Sequence, residues 1–201
     1  MDITKKLTEE FKIKEEYAKN VIALLDDGNT IPFIARYRKE MHGNLDDQIL
    51  REFADRLNYL RNLEKRKEEV TKSIEEQGKL TEEIVEDLKN ATTLTEVEDI
   101  YRPYKQKRKT RATIAIAKGL ESLANIIEAQ ELKSGNIEEI AKEYIDKEKG
   151  AESVEEAING AKDIIAERVS DNAELRKKLR SVFLKTAYIS SKLVKDDEKK
   201  T

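Results

Sequence analysis

The sequence predicts an all-α fold, an elongated multi-helix assembly built around one long central helix, and three observations carry that expectation. Apolar residues recur at three- and four-residue intervals from one end to the other, the repeat that gathers them on one face of a helix. Two prolines and seven glycines in 201 residues leave long stretches uninterrupted. The apolar share is 38% against a charged share of 40%, where globular domains average about 45–50% and about 25%. That balance suits slim, solvent-rich helical layers.

Ile3, Leu7 and Phe11, then Tyr17, Val21, Leu24 and Leu25, mark two short amphipathic helices ending at Asp26-Asp27-Gly28. Thr30 is placed to cap a third, from Ile31 to about Lys39, with Pro32 in a first turn where a missing amide donor does no harm. It stops at His42-Gly43. Asn44 then opens the longest element, whose stripe of Leu45, Ile49, Leu50, Phe53, Leu57, Leu60, Leu63, Val70 and Ile74 ends at Gly78. Such a helix spans roughly 50 Å, more than the ~43 Å diameter of a compact globule of this length. The six charged residues Glu64 to Glu69 interrupt the stripe, so the second half is expected to protrude and to brace other domains through Val70 and Ile74. Asp47/Arg51, Glu52/Arg56 and Glu68/Lys72 are supporting pairs four apart.

Caps announce the rest. Thr81 precedes Glu82 to Lys89, and Thr95 with Glu98 forms a capping box for a helix that Pro103 ends near Tyr101. Thr110 precedes Arg111 to Lys118, closed by Gly119; Leu120 to Gln130 and Ile137 to Tyr144 follow. Ser153 with Glu156 starts Val154 to Val169, and Asp171 introduces a last helix through Leu175, Leu179, Val182, Phe183 and Ile189. Ala112, Ile114 and Ile116 also alternate like a strand, but the alanines and the Gly119 stop favour helix. Val194 to Thr201 read as a charged tail with nothing to pack, an ending expected of a piece cut from a longer chain.

With no cysteine, disulfides, thiolate zinc sites and cysteine nucleophiles are excluded. His42 is the only histidine and reads as a solvated turn residue rather than a metal ligand. Acidic doublets such as Glu9-Glu10 and Asp46-Asp47 sit on adjacent helical positions that diverge by ~100° and do not converge on one atom. No glycine-rich phosphate loop, nucleophile elbow or HExxH pattern occurs. The expectation is a non-enzyme with no cofactor and no metal. Neither a secretory segment nor an apolar run approaching ~18 residues is present, so a cytoplasmic chain without membrane association is expected.

Positive charge is concentrated in one place. Between Tyr101 and Arg111 lie Arg102, Lys105, Lys107, Arg108, Lys109 and Arg111 with no acid among them, and without these six the formal charge falls from −3 to −9. A local anionic partner explains such sorting, nucleic acid phosphate first, with Tyr101 and Tyr104 available to stack on bases. The alternative is a solvated loop whose tyrosines pack back onto neighbouring helices. Thr110 as a helix cap adds free amides beside the cations. A smaller group, Arg36, Tyr37, Arg38 and Lys39, is a possible secondary site, although Glu40, Asp46 and Asp47 are close enough in sequence to neutralise it.

Ile31-Pro-Phe-Ile-Ala-Arg-Tyr-Arg-Lys-Glu40, Tyr101-Arg-Pro-Tyr-Lys-Gln-Lys-Arg-Lys-Thr-Arg-Ala-Thr113 and Lys118-Gly-Leu120 resemble, in order, the amino-terminal region of bacterial Tex-like transcription accessory proteins, and the similarity covers essentially residues 1–201. Gln106, Asn44 and Ser122 depart from the family's usual proline, glycine and proline. The resemblance implies an elongated all-helical region with a helix-turn-helix-like part, a basic subdomain over about 101–150, from a larger RNA- or DNA-binding protein whose further domains are absent here. The partners it implies are nucleic acid, the downstream domains of the same polypeptide, and possible contact with the transcription machinery. Two functions compete: a nucleic-acid-binding module, or a scaffold that docks and orients downstream domains.

Overall fold

The computed structural model describes residues 2–105, 109–131 and 135–192. Among them are twelve α-helices, one 3-10 turn and no strand, with a single isolated bridge between Asp146 and Ala151. The all-α expectation holds. The chain divides into two units, Met1–Tyr101 and Arg102–Thr201.

The first unit contains α1 (Ile3–Phe11), α2 (Glu15–Asp26), α3 (Ile31–Tyr37), α4 (Lys39–His42), α5 (Asp47–Glu76), α6 (Glu82–Asn90) and α7 (Leu94–Tyr101). Asp2 starts α1 by accepting from the Lys5 amide, and Lys12 in the left-handed region ends it. Leu7, Val21, Ile34, Leu50, Phe53, Leu57 and Leu60 form one core, in which the Phe11 and Phe53 rings tilt together at 5.2 Å. α5 begins three residues later than the periodicity suggests. Gly43 and Asn44 both take positive φ to reverse the chain, and Asp46 caps the helix by accepting from the Ile49 amide at 2.8 Å. Gly43 is doubly required, because a Cβ there would sit 2.4 Å from the Tyr17 ring.

Three expectations need correction. The single helix expected from Ile31 to Lys39 breaks at Arg38 (φ −131°, ψ 30°), and Thr30 makes no side-chain capping bond. His42 is not solvated but fully buried, its Nε2 lying 3.2 Å from the Ile34 carbonyl oxygen. That oxygen also accepts from the Arg38 amide at 3.0 Å, so the end of α3 is tied to α4 beneath it. The second half of α5 does not protrude bare: Leu63, Val70 and Ile74 are fully buried because α6 and α7 pack on it within the same unit.

Polar contacts seat those two helices. Lys67, itself buried, donates to the Lys89 carbonyl at 3.2 Å, the Leu94 amide donates to the Tyr59 hydroxyl, and Arg66 pairs with Glu98 at 2.7 Å. Glu98 is thereby withdrawn from the expected capping box. Thr93 and Glu96 form the box instead, each accepting from the other's amide at 3.2 Å. Of the expected pairs, Asp47/Arg51 is present at 2.8 Å, whereas Arg56 leaves Glu52 and grips Glu10 of α1 with two bonds of 2.7 and 2.8 Å.

The second unit contains the 3-10 turn Arg102–Tyr104, then α8 (Arg111–Ala117), α9 (Glu121–Ala129), α10 (Ile137–Lys142), α11 (Val154–Asp171) and α12 (Ala173–Thr186). α8, α9 and α10 all pack on α11, and small side chains make the approach close: Ala112, Ala115, Ala157 and Ala161 are buried with Leu120, Leu123 and Ile164. Gly160 completes the contact, since a Cβ there would lie 2.4 Å from Leu120 Cδ1. The 112–116 segment is helix, as the alanines indicated. Asp171 closes α11 rather than opening the next helix. Asn172 caps α12 by accepting from the Leu175 amide at 2.8 Å, and α12 ends at Thr186, before Ile189. The expected tail, Val194 to Thr201, lies outside the described residues.

Burial of the α5 stripe predicts that Ile74→Ala lowers the stability of the first unit by about 2–5 kcal/mol, read from urea unfolding; a solvated position would move it by less than about 0.5 kcal/mol. Hydrogen bonding from Arg56 holds the Glu10 carboxyl below its ordinary value. A depressed carboxylate contributes stability above its unfolded pKa and loses it as pH falls through the folded one. Acidification from about pH 7 to about pH 3 therefore costs the wild type more urea stability than Arg56→Gln, which keeps only the smaller contribution of Lys6.

Candidate nucleic-acid interface

The basic segment runs from the 3-10 turn that starts at Arg102 to Thr110, the cap of α8, and in the second unit both its ends are fastened to α11. Arg102 Nε donates to Asp171 Oδ1 at 2.7 Å, where Asp171 is buried. At the other end Thr110 Oγ1 donates to Glu167 Oε2 at 3.0 Å and accepts from the Thr113 amide, while Arg111 Nε approaches Asp163 Oδ1 at 3.6 Å. Asp163, Glu167 and Asp171 are four residues apart on α11, so one helical face supplies all three carboxylates. The described ends of the segment are thus both held by α11.

This geometry sorts the residues singled out in the sequence. Arg102 is engaged in a structural pair. Arg111 keeps 87% of its side chain exposed despite its long contact, Lys105 and Lys109 are exposed, and Tyr104 is half-buried. Lys107 and Arg108 lie outside the described residues. Tyr101 belongs to the first unit, where its hydroxyl meets Ser73 Oγ at 2.9 Å and the Arg66 guanidinium lies 5.4 Å over its ring. The amides at the start of α8 are less open to an anion than the Thr110 cap suggested, because the cap takes the Thr113 amide and Glu167 stands beside it.

The smaller group lies at the α3–α4 corner of the first unit. Tyr37 is 63% exposed, with its ring 5.4 Å from that of Phe33 at a 45° tilt. The Arg38 guanidinium lies 5.2 Å from the centre of the Phe33 ring and donates to the Tyr37 carbonyl at 3.1 Å. Neutralisation by nearby acids does not occur as expected: Asp46 caps α5, Asp47 pairs with Arg51, and among the described residues no carboxylate forms an ion pair with Arg36 or Lys39.

Sequence reasoning missed the three α11 carboxylates and Phe33. Asp171 lies 69 residues from Arg102, a separation no local pattern reports. Phe33 and Tyr37 are four apart on a helix, however, and that spacing could have revealed the ring pair. Among the described residues no group of three His, Cys, Asp or Glu side chains is arranged to hold a metal ion, and no helix is long and apolar enough to cross a membrane.

Residues 1–75 match the family model described as Tex-like protein N-terminal domain, and residues 133–201 match Tex central region-like. A Bacillus subtilis (strain 168) protein, YdcI, is 44% identical over 189 residues, covering 94% of this chain and 26% of its own length. The transcriptional accessory protein Tex of Neisseria gonorrhoeae is 42% identical over 198 residues, covering 98% of this chain and 26% of its own. Human S1 RNA-binding domain-containing protein 1 is 32% identical over 202 residues, covering 99% of this chain and 20% of its own. The chain thus spans about a quarter or less of the length of these relatives. Two family models matched in order, with relatives aligned along nearly every residue, establish that the chain belongs to the Tex-like protein family and corresponds to the amino-terminal region of its members.

Proposed function

We propose that this chain is a nucleic-acid-binding helical module of a Tex-like transcription accessory protein, and that it contacts phosphates through the middle of its basic loop. The single observation behind this reading is charge sorting. Residues 1–101 carry 24 acidic and 17 basic side chains, and residues 102–201 carry 18 and 22; within the second half, six cations fall between Arg102 and Arg111. This reading assigns the phosphate contacts to Lys105, Lys107, Arg108, Lys109 and Arg111, with Arg102 anchoring the segment on Asp171, and base stacking to Tyr104. The helix-turn-helix-like part of this proposal is α8, the turn at Gly119 and α9, within the basic region of about 101–150. Two relatives bear names that concern transcription or RNA binding, which supports the direction of the proposal. The chemistry is binding rather than catalysis.

A second reading, a scaffold that seats downstream domains of the same polypeptide, is favoured by α12. That helix buries no residue in the second unit, and Leu179, Val182, Phe183 and Leu184 are between 48% and 84% exposed. The two readings are compatible.

If about four cations touch single-stranded RNA, affinity falls roughly fifty-fold between about 50 and about 200 mM salt, at ~0.7 per contact. Replacing Lys107, Arg108, Lys109 and Arg111 together with glutamate abolishes binding in fluorescence anisotropy while circular dichroism stays unchanged; a salt-independent titration refutes the loop assignment. For the scaffold, calorimetric mixing of this chain with the remaining part of a Tex-like polypeptide gives saturable heat that Phe183→Asp removes. No heat with the unsubstituted chain defeats that reading.

A further inference from the structure

We infer that the α3–α4 corner is a second single-strand contact, in which the Tyr37 ring stacks on a base while Arg36 and Lys39 hold the adjoining phosphates. The inference rests on the reading that this module takes nucleic acid, but not on the basic loop, which belongs to the other unit.

The corner is preorganised from below. His42, fully buried, and the Arg38 amide converge on the Ile34 carbonyl oxygen at 3.2 and 3.0 Å. Asn20 Nδ2 donates to the Met41 carbonyl at 3.0 Å, and the Tyr17 ring fills the place a Cβ would take at Gly43. Backbone held on so many sides keeps the groups above it in register, so little ordering cost remains at binding.

The groups above it have the chemistry of a stacking platform. Phe33 fixes Tyr37 at 5.4 Å, leaving most of that ring in solvent. Arg38 is committed to Phe33 and to the Tyr37 carbonyl, which holds the corner's π surface and a fixed positive charge together. Arg36 and Lys39 flank Tyr37 in sequence and are exposed. Neither forms an ion pair among the described residues, although residues 1–101 carry 24 carboxylates. Cations left unneutralised on an acidic body, beside an exposed ring, match a ligand that alternates charge with planar faces. A single strand of nucleic acid does so; an acidic peptide supplies the charge without a regular planar partner.

The test uses the full chain with a fluorescein-labelled oligouridine RNA. Tyr37→Ala weakens anisotropy-measured affinity by about five- to 150-fold, the range for one base–aromatic stack, and Tyr37→Phe retains it. Arg36→Gln with Lys39→Gln lowers the salt slope by about 1.4. With an abasic chain of equal length, Tyr37→Ala changes nothing, because no base is there to stack. Photocrosslinking of a 5-iodouridine RNA maps to Tyr37 by mass spectrometry. The proposal is overturned if Tyr37→Ala keeps wild-type affinity and no crosslink reaches Tyr37, or if a glutamate peptide binds the corner and RNA does not. The two sites separate cleanly. Should the loop reading alone be wrong, the glutamate-substituted loop binds as wild type while the Tyr37→Ala loss persists; should the corner alone be wrong, the reverse holds.

Discussion

The architecture of the first unit follows from one requirement: the apolar stripe from Leu50 to Ile74 on α5 must be kept from water. Each large side chain on it is worth about 1.5–3 kcal/mol when fully buried, and no single short helix is long enough to cover them all. The cover is therefore assembled in pieces. α1, α2 and α3 shield the first half around Leu50, Phe53 and Leu57, and α6 with α7 shields Val70 and Ile74. Three arginines five residues apart bolt the pieces down: Arg56 to Glu10 of α1, Arg61 to Asp26 of α2, and Arg66 to Glu98 of α7. Partly exposed pairs of this kind contribute about 0–1 kcal/mol each, so burial supplies the stability and the pairs set the alignment.

The second unit meets the same requirement by a different route. Its core is dominated by alanine around α11, with Gly160 admitting Leu120 to the helix surface. Small side chains bury less area per residue but let helices approach closely, so dispersion contacts replace bulk. The polar edge of α11 carries the other task. Asp163, Glu167 and Asp171 hold the two described ends of the basic segment, at Arg111, Thr110 and Arg102.

Much of this was legible beforehand. The long helix, its stripe, the caps at Thr81, Thr110 and Ser153, and the cation cluster all rest on spacings of one to four residues, which an α-helix converts directly into a shared face or a shared turn. Elements were misjudged where a distant residue intervened. Glu98 looks like a cap until Arg66 claims it, and Arg56 looks paired with Glu52 until α1 brings Glu10 closer. The basic segment divides the same way: its cations could be read from composition, but the engagement of Arg102 by Asp171 could not.

What the sequence by itself determined was the helical inventory, the stripe on α5 and the concentration of positive charge before α8, because periodicity and composition act locally. Only the tertiary structure decided that His42 is buried, that Val70 and Ile74 are covered by α6 and α7, and that Arg102 is held by Asp171 while Arg36 and Lys39 form no ion pair among the described residues. Those outcomes depend on which helices meet. Burial and ion pairing are properties of neighbours in space, and for partners up to 69 residues apart no spacing in the chain encodes the meeting.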